Sequence, residues 1–374
     1  MKALQANGLN IWLNDVELSN RTYVSLAIGG GFASEWMGKG EERIRIGSAS
    51  SKLYADCVKR LLKESGFPDV EVLASVHCTS LVWQTTGDAC ASEVQQVLDL
   101  LFQGVPDRDF FEAEKWESMK RFKNCYKDLA FRGHFRMMEF AHQNTLYRYE
   151  SLVRDLQGAD FDQMCTYRDH VIHPANMFLF VHGKVEQGAL QELKLPELEK
   201  GYAEQLFNTR EVRFADDEVY EETSKGNWQC GCIRFERKAS LEDLTKEYAV
   251  LALLGEIQFN GHAQVNVDLA DASITYKKGL KKYKYEIMES LTEESFEEAK
   301  KRLLNNFETQ VRFKTMNFVT WAGQCYMQHI HVYEWLEQLN GMDYERFKDW
   351  IEKSNYQVRE GYLAYRKEAA AVGK

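Results

Sequence analysis

Residues 107–124 read Asp-Arg-Asp-Phe-Phe-Glu-Ala-Glu-Lys-Trp-Glu-Ser-Met-Lys-Arg-Phe-Lys-Asn, and residues 292–309 read Thr-Glu-Glu-Ser-Phe-Glu-Glu-Ala-Lys-Lys-Arg-Leu-Leu-Asn-Asn-Phe-Glu-Thr. Aligned on Phe111 and Phe296, both carry Phe-Glu, a lysine four places on (Lys115, Lys300) and a second phenylalanine eleven places on (Phe122, Phe307). Both stretches open with acidic residues, which suit the positive end of a helix. A second echo lies downstream at nearly the same offset. Gly158-Ala159-Asp160-Phe161 opens one helical segment, and Gly341-Met342-Asp343-Tyr344 opens another. Amphipathic helices share residues easily, but two echoes in register, about half a chain apart, point to an internal duplication.

The remainder of the chain is read around that repeat. Alternating residues in 8–17 and 20–30 predict two strands around the turn Leu18-Ser19-Asn20. The second runs into Gly29-Gly30-Gly31, which lacks the Gly-Lys-Ser/Thr end of a phosphate-binding loop and reads as a strand-end turn. A helix over 51–65 carries Leu53, Cys57, Leu61 and Leu62 on one stripe. Strands at 70–77 and 79–85 form a hairpin, and a helix covers 91–103. A helical block spans 108–172, with breaks near Gly133 and Gly158, and ends at His173-Pro174 before the strand 177–181. Residues 184–210 form a charged connection with a helical turn or two. The second half restarts with a strand at 227–235, a helix at 241–257, strands at 264–276 and 282–289, and helices at 292–311, 314–338 and 343–357. The same order in both halves predicts an α+β fold of two homologous domains, each a mainly antiparallel sheet covered on one face by helices. The domains are 1–205 and 216–374, joined by a linker at 206–215.

Composition narrows the function. The chain has 374 residues, 44% of them hydrophobic, and a formal charge of -10, which argues against a nucleic-acid partner. Lys277, Lys278, Lys281, Lys282 and Lys284 cluster with Tyr276, Tyr283 and Tyr285 between them, and read as a lysine-protected edge strand. The eight cysteines show no disulfide-framework or zinc spacing; Cys230-Gly231-Cys232 is an isolated pair on a strand. No apolar run approaches the length of a membrane span, and the first residues have no signal-peptide core, so a cytoplasmic protein with reduced thiols is expected. His170 and His173 are three apart at a helix end without a third ligand nearby in sequence. His329 and His331 are two apart and would point apart on a helix. No Ser-His-Asp or Cys-His arrangement can be assembled.

The layout resembles the M16 metallopeptidases, specifically the two-domain M16B type. Three stretches carry the resemblance: the glycine turn Ile28-Gly29-Gly30-Gly31-Phe32-Ala33-Ser34-Glu35, the helix with Phe111 and Glu114-Lys115, and the turn His173-Pro174-Ala175-Asn176-Met177 leading through an apolar strand to Gly183. Chemistry in that family needs a helix bearing His-x-x-Glu-His, whose histidines hold zinc while the glutamate acts as base, and a further glutamate on a later helix. None of the nine histidines begins that motif, and residues 38–55, where it is expected, contain none. Counted from Glu114, the later ligand position falls at Arg121, a cation that repels zinc. Partner subunits in such heterodimers often supply an arginine and a tyrosine that hold the substrate's peptide bond. Counted from Gly255, those positions fall at Val265 and Ala272, which can do neither; Tyr276 is then the possible substrate contact, although a surface strand is the plainer reading.

The resemblance therefore implies a non-catalytic, pseudo-enzyme subunit of a heterodimeric M16B peptidase. No catalytic residue, metal or cofactor is expected in this chain. A zinc-bearing subunit of similar size supplies the metal, and the two enclose a peptide. Within the family, the short chain and the loss of both site motifs look most like the subunit that works beside a zinc-bearing partner in maturation of subtilosin-type cyclic bacteriocins. The alternative is a structural or peptide-holding M16-fold protein with no peptidase partner.

Overall fold

A computed structural model of the chain describes residues 2–18, 20–32, 36–37, 44–45, 48–105, 107–128, 131–132, 135, 149–196, 205–206, 220–222, 228–235, 241–267, 272–279 and 288–365. The first half supplies β1 (Lys2–Ala6), β2 (Leu9–Asn14), β3 (Thr22–Gly29), β4 (Trp36–Met37), β5 (Ile44–Arg45), α1 (Ser48–Glu64), β6 (Glu71–Ala74), β7 (Cys78–Thr85), α2 (Gly87–Gln103), α3 (Arg108–Cys125), α4 (Tyr149–Gly158), α5 (Phe161–Val171), β8 (Met177–His182), α6 (Gln187–Gln191) and β9 (Gln205–Leu206). The second half supplies β10 (Tyr220–Glu222), β11 (Trp228–Phe235), α7 (Leu244–Phe259), β12 (Ala263–Val267), β13 (Ala272–Gly279), α8 (Glu293–Phe313), α9 (Thr315–Met327), α10 (Val332–Gly341), α11 (Tyr344–Lys353) and β14 (Tyr356–Tyr365). No described helix is long and apolar enough to cross a membrane.

The chain falls into two units. Unit 1 is Met1–Phe122 with Glu150–Asn208 and Gln310–Met327; unit 2 is Lys123–Tyr149 with Thr209–Thr309 and Gln328–Lys374. Each unit thus takes in the segment that follows the repeated helix, α3 or α8, of the other half. Of the linker 206–215, only Leu206 lies among the described residues.

The two sheets have one topology. Unit 1 orders its main sheet β1-β2-β8-β3-β7-β6, and unit 2 orders its own β10-β14-β11-β13-β12. Without β1 the orders correspond strand for strand. The directions match too: β2–β8 and β10–β14 are parallel, and every other pair in these sheets is antiparallel. A small sheet, β5-β4-β9, stands apart in unit 1.

The repeated residues do the same work in both units. Phe111 and Phe296 are fully buried. Phe111 meets the Phe161 ring at 5.9 Å and 60°, and Phe296 meets the Tyr344 ring at 5.9 Å and 60°. Lys115 donates to the Ala159 carbonyl at 2.6 Å, and Lys300 donates to the Met342 carbonyl at 2.8 Å. Asp160 caps α5 by accepting from the Gln163 amide, and Asp343 caps α11 by accepting from the Arg346 amide. Two helix starts are tied in one way to two long helices, four positions after a buried phenylalanine in each case.

In unit 1 the sheet is covered on both faces. Side chains alternate along a strand, so Trp83 and Val82 of β7 point to opposite sides. Trp83 donates its indole N–H to Glu93 of α2 at 3.2 Å. On the other side lies α9, where a Cβ placed on Gly323 would stand 2.7 Å from Ser25 Oγ. Phe178 stacks on Tyr326, and His182 meets Phe318 edge-on at 5.4 Å. The helical layer read from each half's own sequence is therefore joined in unit 1 by a second layer from far along the chain.

Several expectations need correction. The strands before and after Leu18 do not pair with each other, because β8 enters between β2 and β3. Residues 264–276 are not one strand: β12 and β13 pair as a hairpin. Tyr276 lies in an interior strand, and only 277–279 of β13 have β11 as their sole partner. Residues 280–287, with the other lysines of that cluster, lie outside the described residues, as does Gly133. Helix 314–338 is broken at His329, whose φ of 59° no α-helix accommodates. His329 and His331 thus sit in the break between α9 and α10, with His331 at the N-cap of α10. Strands β1, β4, β5, β9, β10 and β14 went unread, and the helix expected over 343–357 ends at Lys353, before β14.

Candidate functional site

The face where α1 meets α3 is the place to look for chemistry, since α1 is the first long helix and α3 carries Glu114 and Arg121. Helix α1 forms because Leu53, Tyr54, Cys57, Val58 and Leu62 recur at helical spacing and are all buried. That buried stripe leaves Lys52 and Asp56, four apart, on an adjoining face. Helix α3 starts where Asp107 accepts from the Phe110 amide at 2.8 Å, and Phe111 fixes its rotation by burial. Glu114, Ser118 and Arg121 then line up at spacings of four and three.

Arg121 joins the two helices. Its Nη2 is 2.5 Å from Glu114 Oε1 and 3.3 Å from Asp56 Oδ2. Lys52 Nζ is 3.1 Å from the same Asp56 oxygen, and Ser118 donates its hydroxyl to it. Two cations and two carboxylates balance. Burial alone would raise the Asp56 carboxyl, but Lys52, the Ser118 hydroxyl and Arg121 outweigh it and hold it below the usual carboxylate range. Burial likewise opposes the Arg121 charge, and the hydrogen bond it donates to Glu114 together with Asp56 more than compensates. Cys57, buried beside them, is pushed far up by desolvation and is no nucleophile.

A zinc ion does not fit this arrangement. The carboxylates at hand are engaged by a guanidinium that cannot lose its charge, and α1 from Ser48 to Glu64 contains no histidine. Among the described residues no group of three or more His, Cys, Asp or Glu side chains is placed to hold a metal. Ser118 has Asp56 as its partner and no histidine to take its proton. The geometry joins helices rather than activating water.

Elsewhere the candidate residues have structural neighbours. Val265 of β12 lies under α7, 3.7 Å from where a Gly255 Cβ would be. Ala272 is fully buried opposite Val267. Tyr276 is 1% exposed, with its ring stacked on Phe259 at 4.1 Å and 12°. The surface-strand reading of Tyr276 is thereby replaced by a core position. His170 Nδ1 pairs with the Thr166 carbonyl at 2.7 Å, and His173 accepts from the Ala175 amide at 3.1 Å. Neither is turned toward a shared ligand by these bonds.

The glycine turn is also explained by packing. Gly30 has φ of 98°, and a Cβ on Gly31 would stand 2.3 Å from the Ser75 carbonyl oxygen. The Asn176 amide, from the His-Pro-Ala-Asn stretch, donates to the carbonyls of Gly29 and Val171. Two of the three motif stretches thus meet at the end of β3.

Unit 2 holds an open cleft of about 870 Å³ between α7, the end of α10 and α11. Val250, Glu247 and Met342, all buried, belong to its lining, with the half-buried Trp350 beside them. Charges of both signs, including Lys246, Asp349 and Lys353, complete it. No motif marks this cleft. Nor did sequence reading find Lys52, Asp56 and Ser118; the i, i+4 spacing of the first two was the available signal.

No family model matches the chain, and no curated protein does. Solved structures match it over nearly its whole length. An M16-like peptidase from Alicyclobacillus acidocaldarius superposes with a TM-score of 0.81 at 12% identity, over 97% of this chain and 98% of that one. This chain has the M16 fold. A protease from Helicobacter pylori gives a TM-score of 0.72 at 12% identity, over 97% and 98%. An inactive M16 peptidase domain from Pseudomonas fluorescens gives 0.64 at 9% identity, over 98% of both chains. An M16 fold whose α1–α3 face is closed by Arg121 is what the geometry presents.

Proposed function

We propose that this chain is the non-catalytic subunit of a heterodimeric M16B-type peptidase, acting in the cytoplasm beside a zinc-bearing subunit of similar size. In that assembly it encloses a peptide, in the manner of the AlbE-type subunit of subtilosin-type bacteriocin maturation, and the substrate is a bacteriocin precursor. The observation that carries the reading is the Arg121 guanidinium held by Glu114 and Asp56 on an α1 without histidine. The M16 fold over the whole chain, shared with an inactive domain, supports it.

The contribution of such a subunit is confinement. Holding a flexible peptide at a reacting centre removes much of its entropic cost, while the metal in the partner supplies the activated water. With neither Val265 nor Ala272 able to donate a hydrogen bond from its side chain, help with the scissile carbonyl is not assigned to those positions.

Co-expression with a zinc-bearing M16B chain, followed by size-exclusion chromatography, zinc analysis and peptide cleavage, tests the proposal. The expected result is a one-to-one complex with zinc in the partner only, and a cleavage rate above that of the partner alone. A partner that is fully active by itself, with no complex at micromolar concentrations, overturns it and leaves the partner-free peptide-holding reading.

A further inference from the structure

The duplication allows the unit 2 cleft to be compared with the same place in unit 1. The caps Asp160 and Asp343 align α5 with α11, and Tyr167 and Trp350 each stand seven residues after their cap. Helices α1 and α7 align on their buried runs, 53–55 and 57–58 with 249–251 and 253–254, which sets Tyr54 level with Val250. In unit 1 the Tyr54 and Tyr167 rings are in edge contact at 5.7 Å, both fully buried, and the Tyr167 hydroxyl donates to the Gly30 carbonyl. In unit 2 the residue level with Tyr54 is the much smaller Val250, and the indole level with Tyr167 is half-buried rather than fully buried. Both line the 870 Å³ cleft. One fold, used twice, has two tyrosine rings in contact at this place in one copy and an open cleft in the other.

We propose that this cleft is a peptide-binding site that accepts an aromatic side chain against Trp350, in the position the Tyr54 ring takes against Tyr167. Trp350 is already held from one side by Phe235 at 5.6 Å, so its orientation is set before a ligand arrives. An incoming ring would bury its own surface and that of Trp350 and gain the edge contact that aromatic pairs favour. The cleft volume lies within the roughly 300–1,000 Å³ common for ligand sites and exceeds one ring, leaving room for the residues on either side. Lys353 and Asp349 in the lining pair with each other at 2.7 Å, and Lys246 and Asp243 lie beside them, so the lining carries both signs and no net charge from these four. Selectivity falls on the ring and not on the charge beside it. Of the proposed function, this inference uses only that the ligand is a peptide.

Calorimetric titration of the isolated full chain tests it with two capped pentapeptides, acetyl-Gly-Ser-Phe-Ser-Gly-amide and its alanine analogue. The phenylalanine peptide should bind, and the alanine peptide should bind about tenfold or more weaker. Val250→Tyr should take the ring position beside Trp350, as Tyr54 does beside Tyr167, abolishing binding with the melting temperature preserved. Equal affinity for the two peptides overturns the proposal, as does undiminished binding to a folded Val250→Tyr chain. A self-association that Val250→Tyr abolishes also overturns it, because a second copy would then be the occupant. If Val250→Tyr does not fold, the comparison of peptides on the unaltered chain decides. No partner subunit is needed, so this test fails or succeeds independently of heterodimer formation.

Discussion

Lys115 holds the carbonyl oxygen of Ala159 at 2.6 Å, and the same lysine of the second repeat, Lys300, holds that of Met342 at 2.8 Å. Each bond satisfies a carbonyl just before a capping aspartate and fixes the entry of the next helix. A charged donor to a part-buried carbonyl contributes about 1–2 kcal/mol. Lys115→Met and Lys300→Met should each lower stability by that amount in urea unfolding. The carbonyl partners are separate, so the double variant should show the sum. A loss in only one of the two would mean that the repeats have diverged in use despite their shared geometry.

His182 gives unit 1 a pH dependence. It is fully buried between aromatic rings, its Nδ1 2.9 Å from the Asn14 amide, and burial lowers its pKa to about 4. Unfolded, the imidazole titrates near 6.5. Between those values the unfolded chain binds the proton and the folded chain does not, so stability is complete above about pH 6.5 and falls as pH drops toward 4. The linked loss is up to about 3 kcal/mol. His182→Phe, among Phe180 and Phe318, should remove this step. Melting temperatures from pH 7 to 4 check it: the variant's decline should be shallower than that of the native chain.

The repeat was legible because the same side chains recur at the same spacings: a phenylalanine, a lysine four places on, and a capping Asp at the third place of the echo. From these the α+β class and the doubled plan followed. What was not legible depends on residues distant in sequence. Nothing near Leu18 reveals that β8 inserts between β2 and β3, and nothing in 315–327 reveals that Gly323 lies on Ser25 and Ala27. The break at His329 is a single left-handed residue inside an otherwise helical pattern. At the candidate site, the missing histidines could be read directly, and Arg121 could be placed by counting. Glu114 was the residue counted from, but its fellow carboxylate Asp56 could not be found, because it lies on another helix. The cleft was invisible for a different reason: it is marked by a side chain that is smaller than its counterpart, and absence of bulk has no motif.

Arg121 offers a direct test of whether the α1–α3 face can hold a metal. Removing its guanidinium leaves Glu114, buried, and Asp56 without that cation. Arg121→Ala should cost about 1–3 kcal/mol, less than for a fully buried pair because the arginine side chain is half exposed. Arg121→Glu adds a third carboxylate and should cost more, yet it should create no peptidase activity when zinc is supplied, since α1 offers no imidazole. The repeat supplies a compensating change: Ala299 and Asn306 of α8 stand level with Glu114 and Arg121. Glu114→Ala with Arg121→Asn should therefore recover most of the stability lost in Arg121→Ala. Chemical unfolding of the three variants tests this, and zinc-dependent hydrolysis by Arg121→Glu would show that the ligand reading of α1 and α3 is mistaken.

Tyr276 tests one part of the proposed function, a contact between the second half and a peptide. Its ring lies on Phe259 with 1% of its surface exposed, and its strand neighbours are Gly231 and Ala263. A ring so placed packs α7 onto β13. Tyr276→Phe keeps the stack and removes one hydroxyl, so it should cost no more than about 1 kcal/mol and leave complex formation and cleavage unchanged in the proposed heterodimer. Tyr276→Ala removes the ring and should cost about 3–5 kcal/mol. The two roles differ in what they predict for the phenylalanine variant. A donor to the substrate carbonyl would lower cleavage about tenfold, equal to about 1.4 kcal/mol of transition-state stabilisation, without changing assembly or melting. A packing residue leaves the rate alone and moves only stability, and then mainly in Tyr276→Ala. Measuring the cleavage rate and the melting temperature of both variants distinguishes these outcomes, and the buried stack on Phe259 favours the second.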